Sequence, residues 1–309
     1  MMINTPKELS DIEVGLYKSG YGFCEKLVKE EHITIAAAVE KTAAKFGGLN
    51  MISDMECFKK FLFSEVTAYT EPSIGVCDPN LEDKTWWDEL KQDPKFKPEY
   101  WSRYYDYLLR KPSWSITAVE DINSSTDEIM NALTNPRKGV AGERMGMVFG
   151  YVQSGKTAHY IGMINKAYDA GYRIVIVLSG IHNSLRSQTQ SRIDEEVLGY
   201  ETSLESIGDM TRERNVIGVG VGPHNQGETV VQSITTRDEK GDVNKKTEGV
   251  SMMPPFMIVT KKNASVLRKI LRFFRKNHCA EIIGGKKKIP AKYPALIIDD
   301  EADQASINT

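Results

Sequence analysis

Cysteine is scarce in this 309-residue chain, and the four present, Cys24, Cys57, Cys77 and Cys279, lie far apart. No C-x-x-C pair or Cys/His cluster occurs, so neither a disulfide framework nor a thiolate zinc site is indicated. Free thiols fit a reducing compartment, and the cytoplasm is the expected location. No run approaches the ~18 apolar residues that span a bilayer. The N-terminal MMINTPKELSDIEVG also lacks the basic-then-apolar layout of an export signal, so no membrane partner is expected. Neither sign of charge is in excess. With 40 Lys and Arg against 42 Asp and Glu the net charge is -2, and any contact with nucleic acid must be local.

What is present is a composition 40% hydrophobic, enough to bury the core of one large domain or two smaller ones. The pattern changes near residue 140. Residues 1–138 read as a mainly helical region, with periodic apolar stretches such as ITIAAAVEKTAAKF (33–46) and CFKKFLFSEVTAY (57–69). Trp86, Trp87, Trp101 and Trp114 all fall in one aromatic-rich segment. Packing of a helical layer is the ordinary use of such residues, with base or adenine stacking the alternative.

Residues 139–309 alternate strand and helix. MGMVF (145–149) is a short apolar run entering a glycine loop; a helix over 156–170 follows, closed by Gly171, and then the β-branched strand RIVIVL (173–178). A helix over 184–198 precedes Gly199. Further strands are expected at 216–221, 256–259 and 295–298, with a helix over 263–277 between the last two. The polar residues 223–252 read as a surface excursion with at most one short strand. Alternation of this kind predicts an α/β fold, a parallel sheet flanked by helices.

The stretch GYVQSGKT (150–157) satisfies the phosphate-loop pattern G-x-x-x-x-G-K-[ST] at Gly150, Gly155, Lys156 and Thr157. A phosphate chain needs dense donors and positive charge without bulk, which a glycine turn into a helix N-terminus supplies. Gln153, Ser154 and Gly155 would line that nest. Lys156 would reach the β- and γ-phosphates, and the Thr157 hydroxyl would ligate Mg2+, making ATP and Mg2+ the expected cofactors. Together with the strand and helix around it, the loop predicts a P-loop nucleotide-binding domain.

Residues 295–301, ALIIDDE, are an apolar strand ending in carboxylates, the Walker B arrangement. Carboxylates there lie at the sheet edge where ligands bind. Asp300 is read as the Mg2+ carboxylate, acting through water, and Glu301 as the group that polarises the attacking water, with Lys156 as the second catalytic residue. Asp299 is the competing metal residue. Residues 300–303 spell DEAD, yet the other motifs of the DEAD-box helicases are absent. After the strand RIVIVL (173–178) comes SGIHNSLRSQTQSRI (179–193), a polar loop and helix at the edge where superfamily-two helicases hold nucleic acid. Arg186, Gln188 and Arg192 are candidate DNA contacts there, against a solvated helix as the alternative. GVGVGPHNQG (218–227) fails as a dinucleotide fingerprint, because no helix follows its glycines. Lys286, Lys287 and Lys288 read as a solvated turn, with a phosphate contact the alternative. His159, His182 and His224 share no metal-binding spacing.

The segment 150–194 with GYVQSGKT at its head, TKKN (260–263) and ALIIDDEADQASINT (295–309) together resemble the bacterial endonuclease family named for its Z-one domain. WSRYYDYLL (101–109) and STDEIMNALTNP (125–136) extend the likeness across roughly residues 100–309. The resemblance implies the RecA-like form of the P-loop domain, in a superfamily-two, helicase-like ATPase that acts on DNA in restriction or phage defence. It also implies nucleotide and metal roles for Lys156, Thr157, Asp300 and Glu301. A helicase motor needs a second RecA-like domain with an arginine finger. Since the sequence stops about ten residues past the Walker B strand, the expectation is the N-terminal part of a longer protein, with its C-terminal domains as partners. The endonuclease activity comes from the resemblance alone. The alternative function is a nucleotide-gated binding or regulatory module without motor activity.

Overall fold

The computed structural model of the protein describes residues 9–31, 35–48, 52–67, 83–111, 114, 116–139, 143–148, 156–205, 214–222, 231–243, 255–276, 281–283, 285–300 and 302. The chain divides into two compact units, one of Met1–Gly75, Leu108–Ser125 and Val148–Ala158, the other of Val76–Tyr107, Thr126–Met147 and His159–Thr309.

Within the first unit, α1 (Asp11–Glu31), α2 (Ile35–Gly47) and α3 (Met55–Thr67) enclose an aromatic core of Tyr17, Tyr21, Phe46, Phe58 and Phe61 with Leu27 and Leu62. A capping box starts α1: Ser10 N–H donates to Glu13 Oε2 at 3.2 Å, and Glu13 N–H donates to Ser10 Oγ at 3.4 Å. Hydrogen bonds from Ser53 and then Ser10 hold the Glu13 carboxyl down to about 2. Gly20 lets α1 and α3 meet, since a Cβ there would lie 2.4 Å from the Phe58 ring.

The second unit holds α4 (Trp86–Gln92), α5 (Glu99–Arg110) as far as Tyr107, and the greater part of α7 (Lys156–Ala170). It also holds the C-terminal end of α6 (Ile116–Ala132). Trp86, Trp87 and Trp101 are buried, as core aromatics. Lys166 of α7 is buried beside Trp101, 4.2 Å from the ring centroid, with its Nζ 2.6 Å from Asp127 Oδ1. Burial pushes the Asp127 carboxyl up, but the Lys166 charge and the bonds from Lys166, Lys91 and Trp87 outweigh it and leave the group below the usual range.

Asp169 caps α5 from a distance in sequence, accepting from Tyr100 N–H at 2.9 Å and Trp101 N–H at 2.8 Å. Burial nonetheless pushes its carboxyl up to about 7, against those two bonds. The folded state therefore keeps a proton that the unfolded chain, titrating near 3.8, has released. This contribution to stability is full below the unfolded value and is lost as pH rises through about 7. Urea titrations of wild type and Asp169→Asn at pH values either side of that window are expected to differ in slope. Wild type should lose on the order of 4 kcal/mol more than the variant across it; equal pH profiles would refute the assignment.

The sheet has the order β2-β3-β1-β6, built from β1 (Ile174–Leu178), β2 (Gln232–Ser233), β3 (Phe256–Thr260) and β6 (Ala295–Asp299), all parallel. β1 lies between β3 and β6, with Leu178 opposite both Thr260 and Asp299, so the three strands end level. β-branched residues fill β1, which is buried along nearly its whole length. After β1 come α8 (Asn183–Ile193) and a π-turn over Asp194–Leu198; α9 (Ala264–Lys276) follows β3. The core holds Ile174, Ile176, Phe256 and Ile258 of the strands against Val266, Ile270, Phe273 and Phe274 of α9. β4 (Glu281–Ile283) and β5 (Lys286–Lys288) form an antiparallel hairpin, so the lysine run is a strand rather than a turn.

The chain is thus α/β, mostly helical, with a small parallel sheet flanked by helices. Three local expectations are corrected. Residues 143–148 have irregular backbone, and Met145 is 92% exposed; the run contains two methionines and a glycine, which do not favour a strand without a neighbour to pair with. Residues 216–221 form a single bridge from Val216 to Tyr200 and a 3-10 turn over Gly218–Gly220. Residues 231–243 are no surface excursion, because Val231, Ile234, Thr235, Thr236 and Val243 are buried. Among the described residues, no helix is long and apolar enough to cross a membrane.

Candidate functional site

The level carboxyl ends of β1, β3 and β6 place the loops after β1 and β3, together with Asp300, at one edge, the position where open parallel sheets bind ligands. Three backbone bonds stitch them together. Ser179 N–H donates to Thr260 O at 2.9 Å, Lys262 N–H to Gly180 O at 2.9 Å, and Asp300 N–H to Leu178 O at 3.0 Å.

The TKKN segment has a distinct role at each position. The Thr260 hydroxyl ends β3 by donating to Asp242 Oδ1 at 2.8 Å, and Lys261 N–H donates to Asp242 Oδ2 at 3.3 Å. Lys261 Nζ donates to Asn183 Oδ1 at 2.8 Å, tying this loop to the start of α8. The Lys262 ammonium, 6% exposed, lies 2.6 Å from Asp299 Oδ1. Asn263 caps α9 by accepting from Ser265 N–H at 2.9 Å. Sequence reasoning passed over Lys262 and Asp242 as site residues; the signal was there, a basic pair directly after a buried apolar strand and before a helix cap.

Asp299 and Asp300 stand at the end of β6, the first exposed and paired with Lys262, the second in the following turn and half-buried. Both offer hard oxygen donors of the kind Mg2+ takes. Lys156 and Thr157 form the first turn of α7, Lys156 exposed and Thr157 partly so, with both side chains within reach of solvent. Gly150, Gln153, Ser154, Gly155 and Glu301 lie outside the described residues, as does His224. Among the described residues, no group of three His, Cys, Asp or Glu is placed to hold a metal.

No protein-family model matches the chain, and no curated protein or solved structure matches it either. The case for function therefore rests on the residues themselves.

The three candidate DNA contacts on α8 are in unlike surroundings. Arg186 is fully buried, and its guanidinium donates to Thr236 O at 2.8 Å and to Asp238 O. It braces residues 236–238 and cannot present its charge to a duplex, which corrects the sequence expectation for this residue. Arg192 donates to the Glu196 carboxylate at 3.2 Å and is partly neutralised by it. Gln188 is exposed. Beneath them, Asp194 accepts from Gln190 Nε2 at 2.9 Å and from Thr202 N–H at 2.9 Å, and burial pushes its carboxyl up to about 6 against those bonds.

Gly218 and Gly220 of GVGVG also find a structural explanation, and a Cβ on Gly218 would lie 1.9 Å from Glu195 O. Gly199, with φ 80°, and Gly220 cross so closely that a Cβ on Gly220 would lie 2.1 Å from Gly199 O. Close backbone approach, rather than a phosphate, accounts for them.

Proposed function

We propose that the chain is the ATP-binding part of a bacterial, helicase-like ATPase acting on DNA, with a RecA-like P-loop domain of the Z-one type serving restriction or phage defence. One observation carries the reading. The carboxylates ending β6 share a parallel sheet edge with β1, and β1 is reached directly from the helix that opens with the Lys156 and Thr157 of GYVQSGKT. That arrangement supports a phosphate site at a helix N-terminus in a chain whose parallel sheet has an acidic strand end.

On this reading the α7 N-terminus and Lys156 bind the phosphates, with Thr157 and Asp300 as the Mg2+ residues. A Mg2+ held by them would neutralise phosphate charge. Glu301 holds the attacking water and takes its proton as the oxygen bonds to the γ-phosphorus and the bond to the β-phosphate oxygen breaks, releasing ADP and phosphate. Lys262 keeps Asp299 paired, which leaves Asp300 as the carboxylate for the metal.

Mg·ATP binding is expected to raise the thermal stability of the protein, by about 2.7 kcal/mol at a free concentration 100 times the Kd. Excess EDTA should remove most of the effect. A melting temperature unmoved by millimolar Mg·ATP, together with no heat of binding in calorimetry, would sink the proposal.

A further inference from the structure

The outward side of α9 is a strongly charged surface that the nucleotide chemistry does not use. The helix, ASVLRKILRFFRK, carries Arg268, Lys269, Arg272, Arg275 and Lys276 and no acidic residue. Because Val266, Ile270, Phe273 and Phe274 are locked into the core, Arg268, Arg272, Arg275 and Lys276 are held outward and exposed. Positions 268, 272 and 275 follow the i, i+4, i+7 rule and form one stripe along the helix.

An ordinary solvated helix intersperses charges so that neighbours attract. Here Arg268 with Arg272 and Arg272 with Lys276 are like-charged at i,i+4, which works against the helix. The helix dipole favours Arg275 and Lys276 in the last turn but does nothing for Arg268 and Lys269. Among the described residues, Arg268, Lys269, Arg275 and Lys276 make no ion pair. In a chain of net charge -2, this is a local concentration of cations.

We propose that this stripe is a docking surface for the phosphate backbone of nucleic acid. Guanidinium forks match phosphate oxygens, and a cationic row engages a polyanion without reading its bases. An anionic membrane is the weaker partner, because a helix lying in a bilayer interface needs its apolar face free. That face is core here, and Leu271, 54% exposed, is the one large apolar side chain α9 leaves outside. The surface rests on the reading of DNA as partner and is independent of the nucleotide site.

The test is equilibrium binding of fluorescein-labelled oligonucleotides, single-stranded and duplex, across about 50 to 200 mM salt. Wild type is compared with R268Q/R272Q/R275Q and with R268K/R272K/R275K, and Mg·ATP binding is measured on the same samples. The glutamine variant is expected to bind at least tenfold more weakly. Its plot of log K against log salt should be shallower by about 0.7 per lost contact on single strands or 0.9 on duplex. The lysine variant should keep most of both, and Mg·ATP binding should not change. Wild-type affinity and slope in the glutamine variant would overturn this surface and leave DNA as a partner elsewhere. A wild type that binds no oligonucleotide overturns the surface and the DNA reading together. Selective binding to phosphatidylserine vesicles, lost in the glutamine variant, would replace nucleic acid with membrane.

Discussion

Replacing Lys156 with alanine is expected to weaken Mg·ATP binding on the order of 100-fold while leaving the melting temperature of the free protein unchanged. Lys156 is exposed at the first position of α7, where alanine is an excellent helix former, so the fold has no stake in its side chain. On the proposed reading the ammonium makes charge-assisted bonds to two phosphates. Bonds of that class contribute about 1.5–3 kcal/mol each, and losing two of them corresponds to a fall of about two decades or more in affinity. Competition against a fluorescent ATP analogue gives the number, and wild-type affinity in the variant would mean that GYVQSGKT does not hold nucleotide.

Arg186→Met should act in the opposite sense, costing about 2 kcal/mol of stability with no direct effect on nucleotide. The guanidinium is fully buried and satisfies the carbonyls of Thr236 and Asp238. Methionine fills part of the space but leaves the buried Thr236 carbonyl without its donor, worth about 1–3 kcal/mol, while the Asp238 carbonyl keeps the Gly241 N–H at 2.8 Å. The damage should extend along residues 231–243, because Ser187, Gln190 and Asp194 bond into the same layer. Urea unfolding measures it. A variant as stable as wild type but weaker on DNA would restore Arg186 to the role the sequence suggested.

These contrasts show where the sequence was readable. The helix at Lys156–Ala170 and its stop at Gly171 were legible because a capping glycine with φ 110° leaves a local mark. The runs IVIVL and FMIVT were legible as strands because burial on both faces demands unbroken apolar residues. Residues 231–243 were not, since their burial depends on threonine hydroxyls finding partners distant in sequence, as when Thr235 donates to Gln190. Arg186 looked like a surface cation for the same reason: nothing nearby in sequence announces the carbonyls it reaches. At the candidate site, the acidic end of ALIID was visible, whereas Lys262 beside Asp299 became apparent only when β3 and β6 were placed on either side of β1.

The π-turn after α8 sets three consecutive carboxylates to three separate tasks. Asp194 points inward to Gln190 and Thr202, Glu195 accepts from the Tyr107 hydroxyl, and Glu196 pairs with Arg192. The wide turn closes through Gly199 N–H to Asp194 O at 2.8 Å. Removing any one residue from it would restore an ordinary helical repeat and, with it, redistribute the three carboxylates and break the Gly199 N–H to Asp194 O bond. Gly199 would then lose its crossing with Gly220. Homologous chains should therefore tolerate changes of identity at exposed points of this turn far better than a change in its length.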